Sequence, residues 1–429
     1  MFWFANTRKR TEKLARQRQR PTRLRLESLE DRRLLCDLGP GSLDETFDTD
    51  GKVTTDFGGA GDYADAVAVQ ADGKIVAGGT TRQAGGLPSK FALARYNTNG
   101  SLDSSFGSGG KVITSVSPKA GIGELREILI QPDGMIIAAG ITQNGGWTVS
   151  DFVVVRYKAD GSLDNSFGSK GKVTTGFGVG SDDQVRDAVL QPDGKIVVVG
   201  LTYNGSTGVI AAARYNPNGT LDTTFSGDGK MTTALARGAT GVALQADGKV
   251  ILAGFDFALL RLNANGSVDT SFGSGGVVTN PFSTESHATS VAVQTDGRIV
   301  AAGLSYGANG QDHALARYNT DGSLDTTFDG DGLQVVSVSS DHDWAQDLAI
   351  QTDGKIVTSG IAQTETGYNT AILRFNSDGS LDSGFGTGGV VTTANGGGHA
   401  MAIQSDGKIV SAGPAPSAGG DFAVARYCA

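Results

Sequence analysis

Residues 69–76 read Val69-Gln70-Ala71-Asp72-Gly73-Lys74-Ile75-Val76, and six later versions of the stretch are centred on Asp133-Gly134, Asp193-Gly194, Asp247-Gly248, Asp296-Gly297, Asp353-Gly354 and Asp406-Gly407. In each, alternating apolar residues run into Asp-Gly and a second apolar run leaves it. That is the pattern of a tight β-hairpin, for which a type I′ turn with φ > 0 at both central positions is expected. Seven hairpins at a regular period predict seven copies of one supersecondary unit.

Working outward from the hairpin, each unit opens on Leu/Val-Asp-x-x-Phe, as in Leu43-Asp44…Phe47, Leu163-Asp164…Phe167 and Leu381-Asp382…Phe385, and these openings lie 47 to 61 residues apart. A short strand follows, such as Lys52-Val-Thr-Thr55, then the hairpin, then a last strand such as Phe91-Ala-Leu-Ala-Arg-Tyr96 or Phe422-Ala-Val-Ala-Arg-Tyr427. Four short strands per unit, with no helical periodicity after residue 35, predict an all-β seven-bladed β-propeller. The first outer strand (52–55) precedes the first hairpin, and the last inner segment (421–427) has no outer strand after it. The N-terminal strand is therefore expected to complete the last blade and close the ring, leaving no free sheet edge. Residues 1–35 read as a basic targeting segment, expected to be disordered, and 36–429 as the propeller.

Composition agrees: Gly is abundant (64 of 429) and Pro sparse (10). Residues 1–35 hold 11 Lys/Arg against 4 Asp/Glu, a net of +7, so a chain total of −9 leaves the remainder at −16. An acidic body argues against nucleic acid as a partner. No run approaches the roughly 18 apolar residues of a membrane helix.

The series Leu-Asp-x-x-Phe-Gly-x-x-Gly-x-Val-x-Thr, Val-Ala-x-Gln-x-Asp-Gly-Lys-Ile-Val-x-Ala-Gly and Phe-Ala-Leu-Ala-Arg-Tyr-Asn-x-Asp-Gly resembles the delta-60 repeat over residues 43–427. The resemblance implies a propeller of large bacterial surface proteins and carries over no defined activity. Blades four and five are shortened here, chiefly at Phe255-Asp256. The segment Leu26–Leu35 resembles a short motif near the N-terminus of exported proteins of planctomycete-type bacteria, which implies an extracellular or cell-surface destination.

Aligned on the repeat, Cys428 and Leu38 both take the place of Asn97, which puts Cys36 about two residues from Cys428 in a closed ring. A disulfide between Cys36 and Cys428 is expected, and two unrelated thiols are the other reading. The recurring Asn-x-Asp-Gly-Ser-Leu-Asp, as at Asn319, Asp321 and Asp325, matches part of a calcium loop, but the first ligand position is Arg in every unit (Arg95, Arg156, Arg214, Arg261, Arg317, Arg374, Arg426). A guanidinium there repels a cation, so Arg is read as clamping the Leu-Asp carboxylate. The seven hairpin Gln residues, Gln70 to Gln404, are assigned to the fold, since every blade must satisfy the same buried groups.

Function is sought where units differ. Five residues before each hairpin Gln the chain reads Asp65, Arg126, Arg186, Thr240, Thr289, Gln346 and His399, and two residues earlier Tyr63, Glu124, Gln184, Gly238, His287, Trp344 and Gly397. These positions belong to a variable loop face around a channel mouth. The candidate ligand-binding residues are Tyr63, Asp65, Arg126, Arg186, His287, Trp344, Gln346 and His399, with Trp344 and Tyr63 as stacking surfaces for a sugar or peptide. A solvated rim without ligand is the plain alternative. No catalytic residues, no metal ligands and no cofactor are identified: the four His show no metal-ligand spacing, and the carboxylates of Asp341-His342-Asp343-Trp344 are neighbours in a loop that can point apart. The expected role is a non-catalytic secreted or cell-surface monomer that binds an extracellular protein or carbohydrate. The alternative is an extracellular hydrolase or metal-dependent enzyme with its site near His287, His342 and His399.

Overall fold

A computed structural model describes residue 36 and residues 38–429, apart from 84–87, 118–120, 144–148, 204, 206, 235, 280, 283, 308–309, 366, 395–397 and 416–419. The segment 1–35, with its expected disorder and its Leu26–Leu35 motif, lies outside the described residues, as does Gly397. The described chain forms seven four-stranded antiparallel sheets and no helix. Blade one pairs Gly61–Val69, Ile75–Arg82, Ser89–Tyr96 and Lys111–Thr114 in chain order, from the channel outward. Blade seven pairs Ala400–Ile403, Ile409–Pro414 and Phe422–Tyr427, and its outer strand is Lys52–Thr55 from the start of the chain. The closing register runs Lys52↔Ala425, Val53↔Val424, Thr54↔Ala423 and Thr55↔Phe422. The expected bridge is present: Cys36 and Cys428 are disulfide-bonded, with their Cα atoms 5.6 Å apart.

The hairpin turn differs from the expected type I′. Gly73 N–H donates to Gln70 O (2.9 Å), Gln70 N–H donates to Lys74 O (2.8 Å), and only Gly73, at φ +82°, lies in the left-handed region. This is a type I turn closed by a glycine bulge, in which Asp72 keeps an ordinary φ and its carboxylate accepts from Lys74 N–H at 3.1 Å. Glycine carries the positive φ and Asp the local hydrogen bond, so neither needs strain. A turn with two left-handed central residues occurs instead at Asp256 (φ +58°) and Phe257 (φ +48°), closed by Ala258 N–H to Phe255 O at 3.2 Å. That turn shortens blade four, whose outer strand is only Val277–Val278. Blade five, expected to be shortened too, keeps eight-residue strands Ser286–Val293, Ile299–Tyr306 and Gln311–Tyr318.

Apolar side chains fill the joints between blades. At the seam, Phe47, Ile75, Ala92 and Tyr96 meet Val410, Phe422 and Val424. Both faces of every inner sheet are covered, which is why strands such as Ile196–Tyr203 read as near-continuous apolar runs.

Candidate functional site at the channel mouth

The innermost strands of blades one to six share one irregularity. Pairing slips between Ala64/Ala66, Leu125/Glu127, Val185/Asp187, Ala239/Gly241, Ala288/Ser290 and Ala345/Asp347. The skipped residues are Asp65, Arg126, Arg186, Thr240, Thr289 and Gln346. A β-bulge re-aims side chains and twists its strand, and here it turns two consecutive positions toward one space. All six, together with His399 of blade seven, line a single axial cavity of about 440 Å³. The first set of varied positions thus lines one cavity, whereas Tyr63, His287 and Trp344 of the second set do not line it.

Beneath that first set lies a tier that repeat alignment missed. Glu127, Asp187 and Asp347, each one residue past a bulge, line the same cavity. Burial pushes Asp187 up to about 7, against the opposing Val242 and Ala188 N–H groups, and the charge of Asp347 adds to the rise. Burial raises Glu127 well above the usual range, with the Asp187 and Asp347 charges contributing. Asp347 is also raised by burial, although it accepts from Met401 N–H (2.8 Å), Leu348 N–H (2.7 Å) and the Ser290 hydroxyl (3.1 Å). The three carboxyls feel one another across the channel. The signal for them was the pair of adjacent polar residues interrupting an apolar inner strand, as in Arg126-Glu127 and Arg186-Asp187.

Not every ring member is free to meet a ligand. The Thr240 hydroxyl donates to Ala288 O (2.7 Å) and the Thr289 hydroxyl to Ala345 O (2.9 Å), each stapling its blade to the next. Arg126 donates to Glu124 at 2.6 Å and lies 3.9 Å from Asp65, which lies 3.7 Å from His399. Glu124 also receives Arg82 at 2.8 Å, and the Arg82 guanidinium sits 5.1 Å over the Tyr63 ring. Tyr63, Asp65, Arg126 and His399 therefore belong to one polar network spanning blades seven, one and two. Arg186 donates to Gln184 at 3.0 Å and is exposed at the mouth.

Trp344 occupies a second cleft of about 480 Å³ between blades six and seven, shared with Tyr368, Asn369, Pro414 and His399. The Trp344 and Tyr368 rings meet edge to face at 6.2 Å, and Tyr368 is largely exposed. Tyr368 lies at the start of the third strand of blade six, Gly367–Phe375, opposite Gln363, in the stretch between the second and third strands whose sequence and length differ from unit to unit. His399 lines both cavities and joins them.

His287 and His342 do not join His399. His287 packs edge-on to Phe255 at 5.4 Å, and its Nδ1 accepts from Asp256 N–H at 3.4 Å. His342 Nδ1 accepts from Gln311 N–H at 3.2 Å. Asp343 turns inward, fully buried, to accept from Val338 and Ser339 N–H at 2.8 and 2.7 Å, away from the more exposed His342.

The opposite face repeats without variation. Each strand Arg donates from Nε to the Leu/Val-Asp carboxylate, at 2.7–2.8 Å in all seven units. The same guanidinium covers the Phe ring of its unit at 4.4–4.8 Å. It also reaches a backbone carbonyl of the next blade, as in Arg156 to Pro217 O and Arg426 to Thr98 O. Hairpin Gln residues staple similarly, Gln351 to Gly407 O and Gln404 to Gly73 O at 3.2 Å.

The fold and the varied residues of one face define a seven-bladed β-propeller with an axial cavity. Six segments, 70–106, 131–167, 191–225, 245–272, 294–328 and 351–385, match the family described as "Domain of unknown function (DUF5122) beta-propeller". The chain is a repeat β-propeller protein, and six of its units are similar to that family's. The matched unit runs from hairpin Gln to opening Phe; its seventh copy starts at Gln404 and finishes at Phe47, split by the chain ends. No curated protein matches the sequence. Among solved structures, the chain is similar to U3-55K (8% identity, 90% of this chain and 99% of that one, TM-score 0.53) and to the RRP9 WD40 repeats (9%, 91% and 99%, 0.52). It also matches an inactive virginiamycin B lyase from Staphylococcus aureus (10%, 87% and 98%, 0.47). These likenesses concern the fold alone.

Proposed function

We propose that the protein is a non-catalytic binding scaffold, secreted or held at a cell surface, which takes a carbohydrate or protein ligand through the variable loop face. One observation carries this reading: positions at which the units differ are the ones that a bulge, repeated in six of the seven, directs into a common cavity shared with His399. Arg126, Arg186, Asp65, Gln346 and His399 offer donors and acceptors there, and the adjoining Trp344–Tyr368 cleft offers an apolar platform of the kind sugar rings stack on. The Cys36–Cys428 disulfide supports an oxidising compartment. Raised carboxyls in the channel favour a second reading, a hydrolase using Asp187 as acid; separate packing of His287 and His342 speaks against the histidine-based version. Glycan and peptide microarrays probed with wild type and Trp344→Ala test the scaffold reading: retention of a ligand class by wild type and its loss in the variant are expected. Absence of retention, or retention unchanged by the substitution, overturns it, and turnover of an arrayed glycan abolished by Asp187→Asn would favour the hydrolase.

A further inference from the structure

At the seam where the closing strand hands over to blade one, two carboxylates from near the start of the chain meet a third from near its end. Asp56 follows the strand Lys52–Thr55, Asp62 lies in the innermost strand of blade one, and Asp421 precedes the last strand, Phe422–Tyr427. One oxygen of each lies within 4.8 Å of the others. Asp62 is only 1% exposed; its carboxylate accepts Phe57 N–H at 2.7 Å through Oδ2, while the buried Oδ1 has no hydrogen-bond partner. Burial raises the Asp62 pKa, the Thr81 hydroxyl beside it and the Phe57 N–H oppose the rise, and the charges of Asp56 and Asp421 add to it. The neighbouring Lys111 ammonium turns to the backbone carbonyl of Asp56 at 2.9 Å.

Gly59 walls the place. A Cβ on it would lie 2.6, 2.7 and 2.8 Å from the Thr81 hydroxyl, the Arg82 carbonyl and Asp62 Oδ1, so three oxygens converge where only glycine leaves room. Corresponding positions at other joints hold fewer acids. Between blades two and three they are Gly176, Asp183 and Asp151, and between five and six Ser337, Asp343 and Asp312, where the Ser337 hydroxyl satisfies Asp312 at 2.5 Å. Among the described residues, the third acid is added only where the ring is closed by the two chain ends.

We propose that the carboxylates of Asp56, Asp62 and Asp421 bind a divalent cation, Ca²⁺, that pins the two ends of the chain together. An all-oxygen set of carboxylates with nearby hydroxyl and carbonyl oxygens is the donor chemistry of a hard cation of flexible coordination. The ion supplies the partner that Asp62 Oδ1 lacks and offsets three like charges. The site is distinct from the Asn-x-Asp-Gly turns, whose Arg excludes a cation, and from the channel.

The experiment uses the full chain, stripped with chelator, with Ca²⁺ alone as probe and Tb³⁺ luminescence as a second readout. Ca²⁺ at 100 times its dissociation constant stabilises the folded state by about 2.7 kcal/mol, so a rise in Tm of several degrees is expected. Asp56→Asn and Asp421→Asn should each lose the rise and the Tb³⁺ signal, while melting no lower than wild type in chelator because repulsion is relieved. Asp151→Asn, at the two-acid joint, should keep both. A wild type that responds to neither ion, or a response that survives both seam substitutions, overturns the proposal.

Discussion

Arg426 and Asp44 are 382 positions apart in the chain, yet Nε meets the carboxylate at 2.8 Å, the same clamp that elsewhere joins residues eight apart. Six clamps form within one stretch of chain. The seventh forms only when the ring closes, together with the Lys52–Thr55 pairing and the disulfide. Closure is thus built from the ordinary parts of the repeat, used across its two ends.

Removing one partner of a buried ion pair leaves the other charge unpaired, which costs about 3–5 kcal/mol. Asp44→Ala and the mid-chain Asp325→Ala should both lower the unfolding free energy measured in urea by that order. Only Asp44→Ala should also expose residues 38–60 to limited proteolysis while blades two to six stay protected, with the fragments read by mass spectrometry.

The bridge closes a loop of 392 residues in sequence separation. Chain entropy sets an upper figure of roughly 6 kcal/mol for such a loop, and measured gains are usually smaller. Cys428→Ser should lower Tm relative to wild type without reductant and match wild type in dithiothreitol. Equal melting of oxidised wild type and variant would show that the strand pairing alone carries the closure.

Stability should depend on pH in two opposed ways. Burial raises the channel carboxyls, so in the folded state they hold protons that the unfolded chain has released; their contribution is full below the ordinary carboxyl range and lost as pH rises toward about 7. Among the clamp carboxyls, burial would raise Asp103, but Ser105, Lys74 and Arg95 hold it well below the usual range, so its contribution is lost only as pH falls below that range. Urea midpoints should therefore decline from pH 4 to 7, and Asp187→Asn should flatten part of that decline while costing about 1 kcal/mol throughout for an acceptor lost.

The hairpin geometry separates Gly73 from Asp72. Gly73→Ala places a side chain at φ +82° and should cost about 1–2 kcal/mol. Asp72→Val should cost less, because its φ is ordinary; a type I′ turn would penalise both. Thermal melts of the two variants give the comparison.

Blade number, strand order, ring closure and the cysteine pair were legible because each follows from a repeated column and from which strand the last unit lacks. The ring Asp65–His399 was legible for the same reason. The acid tier at Glu127, Asp187 and Asp347 was not, because alternation puts consecutive residues on opposite faces and the bulge cancels that rule locally. The shortening at Phe255-Asp256 was legible too, but the left-handed geometry of that turn was not, because neither Asp256 nor Phe257 is glycine. Tyr368 and the Asp56–Asp62–Asp421 group escaped for a further reason: Tyr368 starts a strand whose first residues vary between units, and the three acids coincide only where the two chain ends meet.

The central claim is that ligand engages the bulge-lined mouth, and amide hydrogen exchange with a ligand selected on the arrays reads it most directly. The account predicts protection at residues 124–127, 184–187 and 344–347 and around Tyr368 at the start of its strand, with no change at the hairpins 70–74 and 131–135. Protection confined to those hairpins, or spread evenly over both faces, would contradict it.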